Sequence, residues 1–124
     1  MEKPKQSTIL VVDDEPNIRF LLRVTLEGAG YEVVEAQHGV VALERAQESR
    51  PDLVVTDLMM PLMGGRELIE RLRSDPETAS IPILVLSANS GLLAGDADRA
   101  MAKPFDPETL LEHVHILSGK EAAE

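Results

Sequence analysis

The chain has 124 residues, 44% of them hydrophobic, which suits one domain with one core. It contains no cysteine, so disulfides, thiol catalysis and cysteine-ligated metals are excluded. Its formal charge of −10, from 22 acidic against 12 basic residues, is spread along the chain without a basic stripe, which argues against binding nucleic acid through its phosphate backbone. No apolar run reaches membrane-spanning length, and the polar amino terminus lacks the apolar region of a signal peptide. The expected setting is the cytoplasm, with no membrane partner.

The elements alternate along the chain. The apolar run Ile9 to Val12 predicts a buried strand over residues 8–12. Glu15 and Pro16 open a helix that runs to about Glu27 and stops at Gly28 or Gly30. Helical spacing puts Ile18, Leu21, Leu22 and Thr25 on one face and the apolar pair Phe20 and Val24 on the other. That pair is either a scattered exposed couple or a docking or dimer contact. A second strand follows at 32–36, a helix from Gly39 to about Ser49 halted before Pro51, and a third strand at 53–57. Gly64 and Gly65 precede a third helix ending near Ser74. Strands are predicted at 82–87 and 99–102, and Asp106, Pro107 and Glu108 carry the signature of a last helix start. Only residues 88–98 separate the last two strands, so a fourth helix there must be shortened or absent. Residues 1–7 and 119–124 are expected to be flexible flanks of one domain over residues 8–118. His38, His113 and His115 lack metal-site spacing and are expected at the surface.

Alternating strands and helices imply an α/β fold with a five-stranded, doubly wound parallel sheet. In such sheets ligands bind at the carboxyl ends of the strands. Four apolar runs end there in polar residues: Asp13 with Asp14, then Asp57, Ser87 and Lys103. Taken singly, each has a plain reading. The Asp pair suits a helix amino terminus, Ser87 a turn, and Lys103 a surface position. Taken together they supply three carboxylates, a hydroxyl and an ammonium on one edge. Oxygen ligands of this kind suit Mg²⁺, which usually takes one or two carboxylates plus phosphate. Asp57 can act as a nucleophile toward phosphorus, forming an acyl phosphate. Such a transfer needs charge neutralisation and in-line positioning more than acid–base chemistry. Crowding three carboxylates should raise their pKa values without a metal. The Lys103–Pro104 bond is a candidate for the cis form.

These residues resemble the motifs of a two-component response-regulator receiver domain. The matching stretches are Val11 to Pro16, Asp57 to Pro61 with Met63 and Gly65, Ser87 with Ala88, and Lys103 to Phe105, in family order. The resemblance implies a single, stand-alone receiver domain with the flavodoxin-like strand order 2-1-3-4-5. It implies Asp57 as phosphoacceptor. Asp14, Asp13, Asp57 and the backbone carbonyl of Met59 would be the Mg²⁺ ligands, and Ser87 and Lys103 the phosphoryl-binding groups. The donor would be a sensor histidine kinase or a histidine phosphotransfer protein. Met59 and Asn89, two residues after Asp57 and Ser87, would tune hydrolysis, Asn89 by orienting water and Met59 by excluding it.

Two departures stand out. Ala100 occupies the switch position where the family usually has an aromatic residue, and the segment after Ser87 is short. Met101 or Phe105 is available to take over that packing role. The expected function is a phosphoacceptor of a phosphorelay, a monomer or weak dimer, and not an enzyme turning over an external substrate. The alternative is a receiver-like interaction module whose partner binding does not depend on phosphorylation. An aspartate-based phosphatase would need a second Asp where Met59 stands. A nucleotide-binding module would need a Gly-rich first turn where this chain is acidic.

Overall fold

The computed structural model describes residues 7–58, 60, 63–87 and 97–118. Its elements are β1 (Thr8–Val12), α1 (Pro16–Gly28), β2 (Glu32–Ala36), α2 (Gly39–Ser49), β3 (Leu53–Asp57), α3 (Gly65–Ser74), β4 (Ile83–Ser87), β5 (Arg99–Ala102) and α4 (Pro107–Leu117). The five strands form one sheet in the order β2-β1-β3-β4-β5, every neighbouring pair parallel.

Each buried strand splits its residues between two cores, because successive side chains point to opposite faces. Leu10, Val12, Val54, Ile83 and Val85 face α2 and α3, where Ala42, Ala46, Leu68, Ile69 and Leu72 complete one core. Ile9, Val11, Leu53, Val55, Leu84 and Leu86 face α1 and α4, where Leu22, Leu26, Leu110 and Val114 complete the other. Burying one such Leu or Ile side chain is worth about 1.5–3 kcal/mol. The small Ala42 and Ala46 are the fully buried residues by which α2 meets this core.

Local chemistry sets the ends. After α1, the amides of Ala29 and Tyr31 return to the Leu26 carbonyl, and Gly30 takes φ +97°, a left-handed conformation that costs glycine little. Arg50 ends α2 at φ 47°, held by its amide on the Ala46 carbonyl, with Pro51 blocking further helix. Asp106 caps α4, its carboxylate accepting the Thr109 amide at 3.1 Å.

Three expectations are corrected. Gly65 is the first residue of α3 rather than part of the approach to it. Leu21 is 44% exposed although its spacing placed it on the buried face; Leu26 takes that place. Ser7, expected in the flexible flank, is buried, and its carbonyl accepts the Glu32 amide at 2.9 Å. The shortened or absent helix expected within 88–98 lies, from 88 to 96, outside the described residues, as do 1–6 and 119–124.

Candidate functional site at the carboxyl edge of the sheet

Register brings the polar residues together. Val12 pairs with Thr56, so Asp13 emerges level with Asp57. Asp57 pairs with Leu86, which sets Ser87 one step beyond it, and Ser87 pairs with Ala102, which sets Lys103 one step further. The backbone repeats the pattern: the Lys103 amide donates to the Ser87 carbonyl at 2.8 Å. The Lys103–Pro104 bond is cis, as expected. The Lys103 ammonium donates to Asp13 Oδ2 at 2.9 Å and lies 3.1 Å from Asp57 Oδ1. Asp13, Asp57 and Ser87 are buried, whereas Asp14 is exposed.

One carboxylate oxygen each from Asp13, Asp14 and Asp57 lie within 4.8 Å of one another. Opposite ligands of an octahedral Mg²⁺ are about 4.2 Å apart, so a small rotation of a side chain or an intervening water brings the set to a divalent ion. The donors are all hard oxygens, as that ion requires. Of the other ligand and tuning positions, Met59 and Asn89 lie outside the described residues.

Burial raises the Asp57 carboxyl above its ordinary pKa; hydrogen bonding and charge from Lys103 oppose this, and the Asp13 charge adds to it. Burial alone would lower the Lys103 ammonium. Its hydrogen bonds and ion pairs with Asp13 and Asp57 outweigh that and hold it above its usual value. A carboxyl raised in the folded state favours folding while protonated and disfavours it once ionised. The metal-free protein should therefore lose stability as pH rises from the ordinary carboxylate range through the Asp57 titration. Asp57→Asn should melt higher than the parent at neutral pH in chelator, by about 1 kcal/mol, in a side-by-side thermal melt. A lower melting temperature would show instead that the Lys103 contact outweighs burial.

Several contacts had no signal in the sequence. Arg19, from α1, donates to the Asp13 carbonyl at 2.7 Å and to Glu35 Oε1 at 3.0 Å. Gly65 lies against the end of β3: a Cβ there would stand 2.6 Å from the Asp57 carbonyl oxygen and 2.8 Å from Leu58 Cα. Arg73 donates to the Ala79 and Ile81 carbonyls and to Asp98, whose carboxylate also accepts the Ile83 amide, so the start of β5 is tied to that of β4. Of these positions the sequence marks only the Gly64–Gly65 pair, and only as a helix boundary.

The remaining sites separate. Ala100 is exposed on β5, while Met101 and Phe105 pack, partly buried, on the core beneath α4. Phe20 and Val24 are exposed on α1, at 67% and 51%, far more than the flanking Ile18. His38 is half-buried before α2, with an Nδ1 that finds no partner; this corrects its expected surface place. The half-buried His113 meets the exposed Arg99, and the exposed His115 meets the Tyr31 hydroxyl.

Comparison with known proteins agrees with this geometry. The profile of the response regulator receiver domain matches residues 9–115. The chain is 39% identical over 115 residues to the DNA-binding dual master transcriptional regulator RpaA of Synechocystis, covering 88% of this chain and 48% of that protein. It is 42% identical over 111 residues to the phosphate regulon transcriptional regulatory protein PhoB of Pseudomonas aeruginosa, covering 84% and 48%. The chain thus spans about half the length of these curated relatives. Among solved structures, the chemotaxis protein CheY4 of Vibrio cholerae superposes with a TM-score of 0.86 at 35% identity, covering 91% of this chain and 99% of that one. Among the described residues no helix is long and apolar enough to cross a membrane. The acidic edge with its bridging lysine, the strand order and the profile match agree: this chain belongs to the response regulator receiver domain family.

Proposed function

We propose that this chain is a cytoplasmic phosphoacceptor of a two-component phosphorelay, with Asp57 as the accepting residue. The observation that carries the reading is the Lys103 ammonium set between Asp13 and Asp57 at 2.9 and 3.1 Å, beside Asp14 and Ser87. A carboxylate oxygen of Asp57 attacks the phosphorus of a phosphohistidine on a sensor kinase or phosphotransfer protein. The P–N bond breaks, and its electron pair leaves with the imidazole. Lys103 turns its ammonium onto a phosphoryl oxygen, and the Ser87 hydroxyl donates to another. Hydrolysis later returns the carboxylate and inorganic phosphate, so the protein modifies itself and turns over no other substrate. Asp13, Asp14, Asp57 and the Met59 carbonyl would hold Mg²⁺, which when bound supplies charge neutralisation on the phosphoryl oxygens. Met59 and Asn89 are assigned to tuning hydrolysis, and the receiver unit to residues 8–118.

Beryllofluoride, which mimics a phosphoryl group on a carboxylate, tests the pocket. With Mg²⁺ present it should shift the amide resonances of Asp57, Ser87 and Lys103 in the parent and leave Asp57→Asn unchanged. No shift in the parent would contradict the reading.

The exposed Ala100 supports a second reading, in which partner binding is independent of phosphorylation, because no large side chain stands there to swing inward. Equal capture of a partner by parent and Asp57→Asn would favour it. Phe20 and Val24 are the docking pair we assign to α1. Phe20→Glu should weaken phosphotransfer from the donor protein while leaving small-molecule phosphorylation intact.

A further inference from the structure

Asp14 is the exposed member of the acidic cluster. Among the described residues the Asp14 carboxylate has no hydrogen bond, ion pair or other electrostatic partner. Its direction is then set through its backbone. That backbone is set one peptide earlier, at Asp13, every polar group of which is occupied. The Asp13 amide donates to the Ala36 carbonyl at 3.2 Å, Oδ1 accepts the Glu15 amide at 2.9 Å, and Oδ2 accepts Lys103 at 2.9 Å. The Asp13 carbonyl accepts Arg19 Nη1 at 2.7 Å. Because the peptide is planar, fixing that carbonyl fixes the plane joining Asp13 to Asp14. This orients the Asp14 amide and limits where its Cβ can point.

Arg19 is itself locked. Its Nε donates to Glu35 Oε1 at 3.0 Å, and the other Glu35 oxygen is held by Arg23. The Arg19 side chain is only 17% exposed. One planar guanidinium thus spans the acidic turn after β1 and the edge strand β2, a two-point fork that an ammonium cannot reproduce. Arg23 shares the Glu35 contact but does not reach Asp13.

We infer that Arg19 is a positioning residue for the divalent cation: by gripping the Asp13 carbonyl it aims Asp14 into the cluster. This rests on the phosphoacceptor reading of the same site. Groups that orient metal ligands typically contribute 10–100-fold to metal affinity.

The test titrates Mg²⁺ alone into the parent, Arg19→Gln, Arg19→Lys and Arg23→Gln, following the Asp13 and Asp14 amide resonances, and records phosphorylation by acetyl phosphate at saturating Mg²⁺. Arg23→Gln is the control, since it removes a Glu35 ion pair, together with one to Glu27, and spares Asp13. The expected result is a Mg²⁺ dissociation constant raised about tenfold in Arg19→Gln. It should be partly restored in Arg19→Lys and unchanged in Arg23→Gln, with the rate at saturating Mg²⁺ near that of the parent. Unchanged affinity in Arg19→Gln, or equal loss in Arg19→Gln and Arg23→Gln, would overturn the inference, the latter reducing Arg19 to a tie between α1 and β2. If Arg19→Gln failed to fold, Arg19→Lys against Arg23→Gln decides on the same terms. A parent that binds no Mg²⁺ would refute the phosphoacceptor reading itself, an outcome distinct from any difference among variants.

Discussion

Lys103→Ala is expected to cost the metal-free protein about 3 kcal/mol at neutral pH, because it leaves two buried carboxylates facing each other without a cation. Asp13 and Asp57 are 1% and 7% exposed, and the ammonium is the cation within 3.1 Å of both. Its removal deprives Asp57 of the group that restrains its upward-shifted pKa. The loss should therefore depend on pH. It should shrink as pH falls and Asp57 takes up a proton, and it should shrink when Mg²⁺ replaces the missing charge. Chemical denaturation at neutral and mildly acidic pH, with and without Mg²⁺, checks both. A loss that is the same in all four conditions would mean that the lysine stem contributes packing and its charge contributes nothing. Phosphorylation should slow in the same variant even at saturating Mg²⁺, since the ammonium also has a phosphoryl oxygen to meet.

Gly65→Ala should damage the fold and the site together. The new Cβ would stand 2.6 Å from the Asp57 carbonyl oxygen and 2.8 Å from Leu58 Cα. Both are backbone atoms, so no side-chain rotation relieves the contact. The first turn of α3 must lift from the end of β3, straining the Gly65 amide hydrogen bond to the Leu58 carbonyl, 2.9 Å long. Overpacking of this kind costs about 1–3 kcal/mol. A displacement of about 1 Å at a reacting group can slow a reaction about 100-fold. Gly28→Ala provides the contrast. Nothing lies within 4 Å of a Cβ there, at the end of α1, so it should be neutral or stabilising by up to about 1 kcal/mol. Urea denaturation and acetyl phosphate labelling of both variants measure the difference. Parent-like stability and labelling in Gly65→Ala would show that α3 can shift without moving Asp57.

Much of this architecture is legible in the residues alone, for a local reason. Runs such as Ile9 to Val12 and Ile83 to Leu86 are too apolar and too short for anything but buried strands, and their polar ends mark the sheet edge. Asp106 and Pro107 announce α4, and Asp106 indeed caps it. What escapes is set by contacts distant in sequence. Arg19 reads as an ordinary polar helix residue; its grip on Asp13 depends on how α1 leaves the sheet and on Glu35 from the neighbouring strand. Arg73 and Asp98 are 25 residues apart and meet only because β4 and β5 are adjacent. Leu21 is exposed while Leu22 and Leu26 are buried, because helical spacing gives the face of α1 but not its centre. The close approach at Gly65 belongs to the same class: a glycine pair signals a turn, while the atoms that exclude a side chain come from β3.

The most direct test of phosphoryl acceptance at Asp57 is the intact mass of the protein after incubation with Mg²⁺ and acetyl phosphate, beside Asp57→Asn and a chelator control. One phosphoryl group on the parent, absent from Asp57→Asn and from the chelated sample, is the predicted result. An adduct of equal yield on Asp57→Asn, or none on a parent that also fails to bind beryllofluoride, would contradict it.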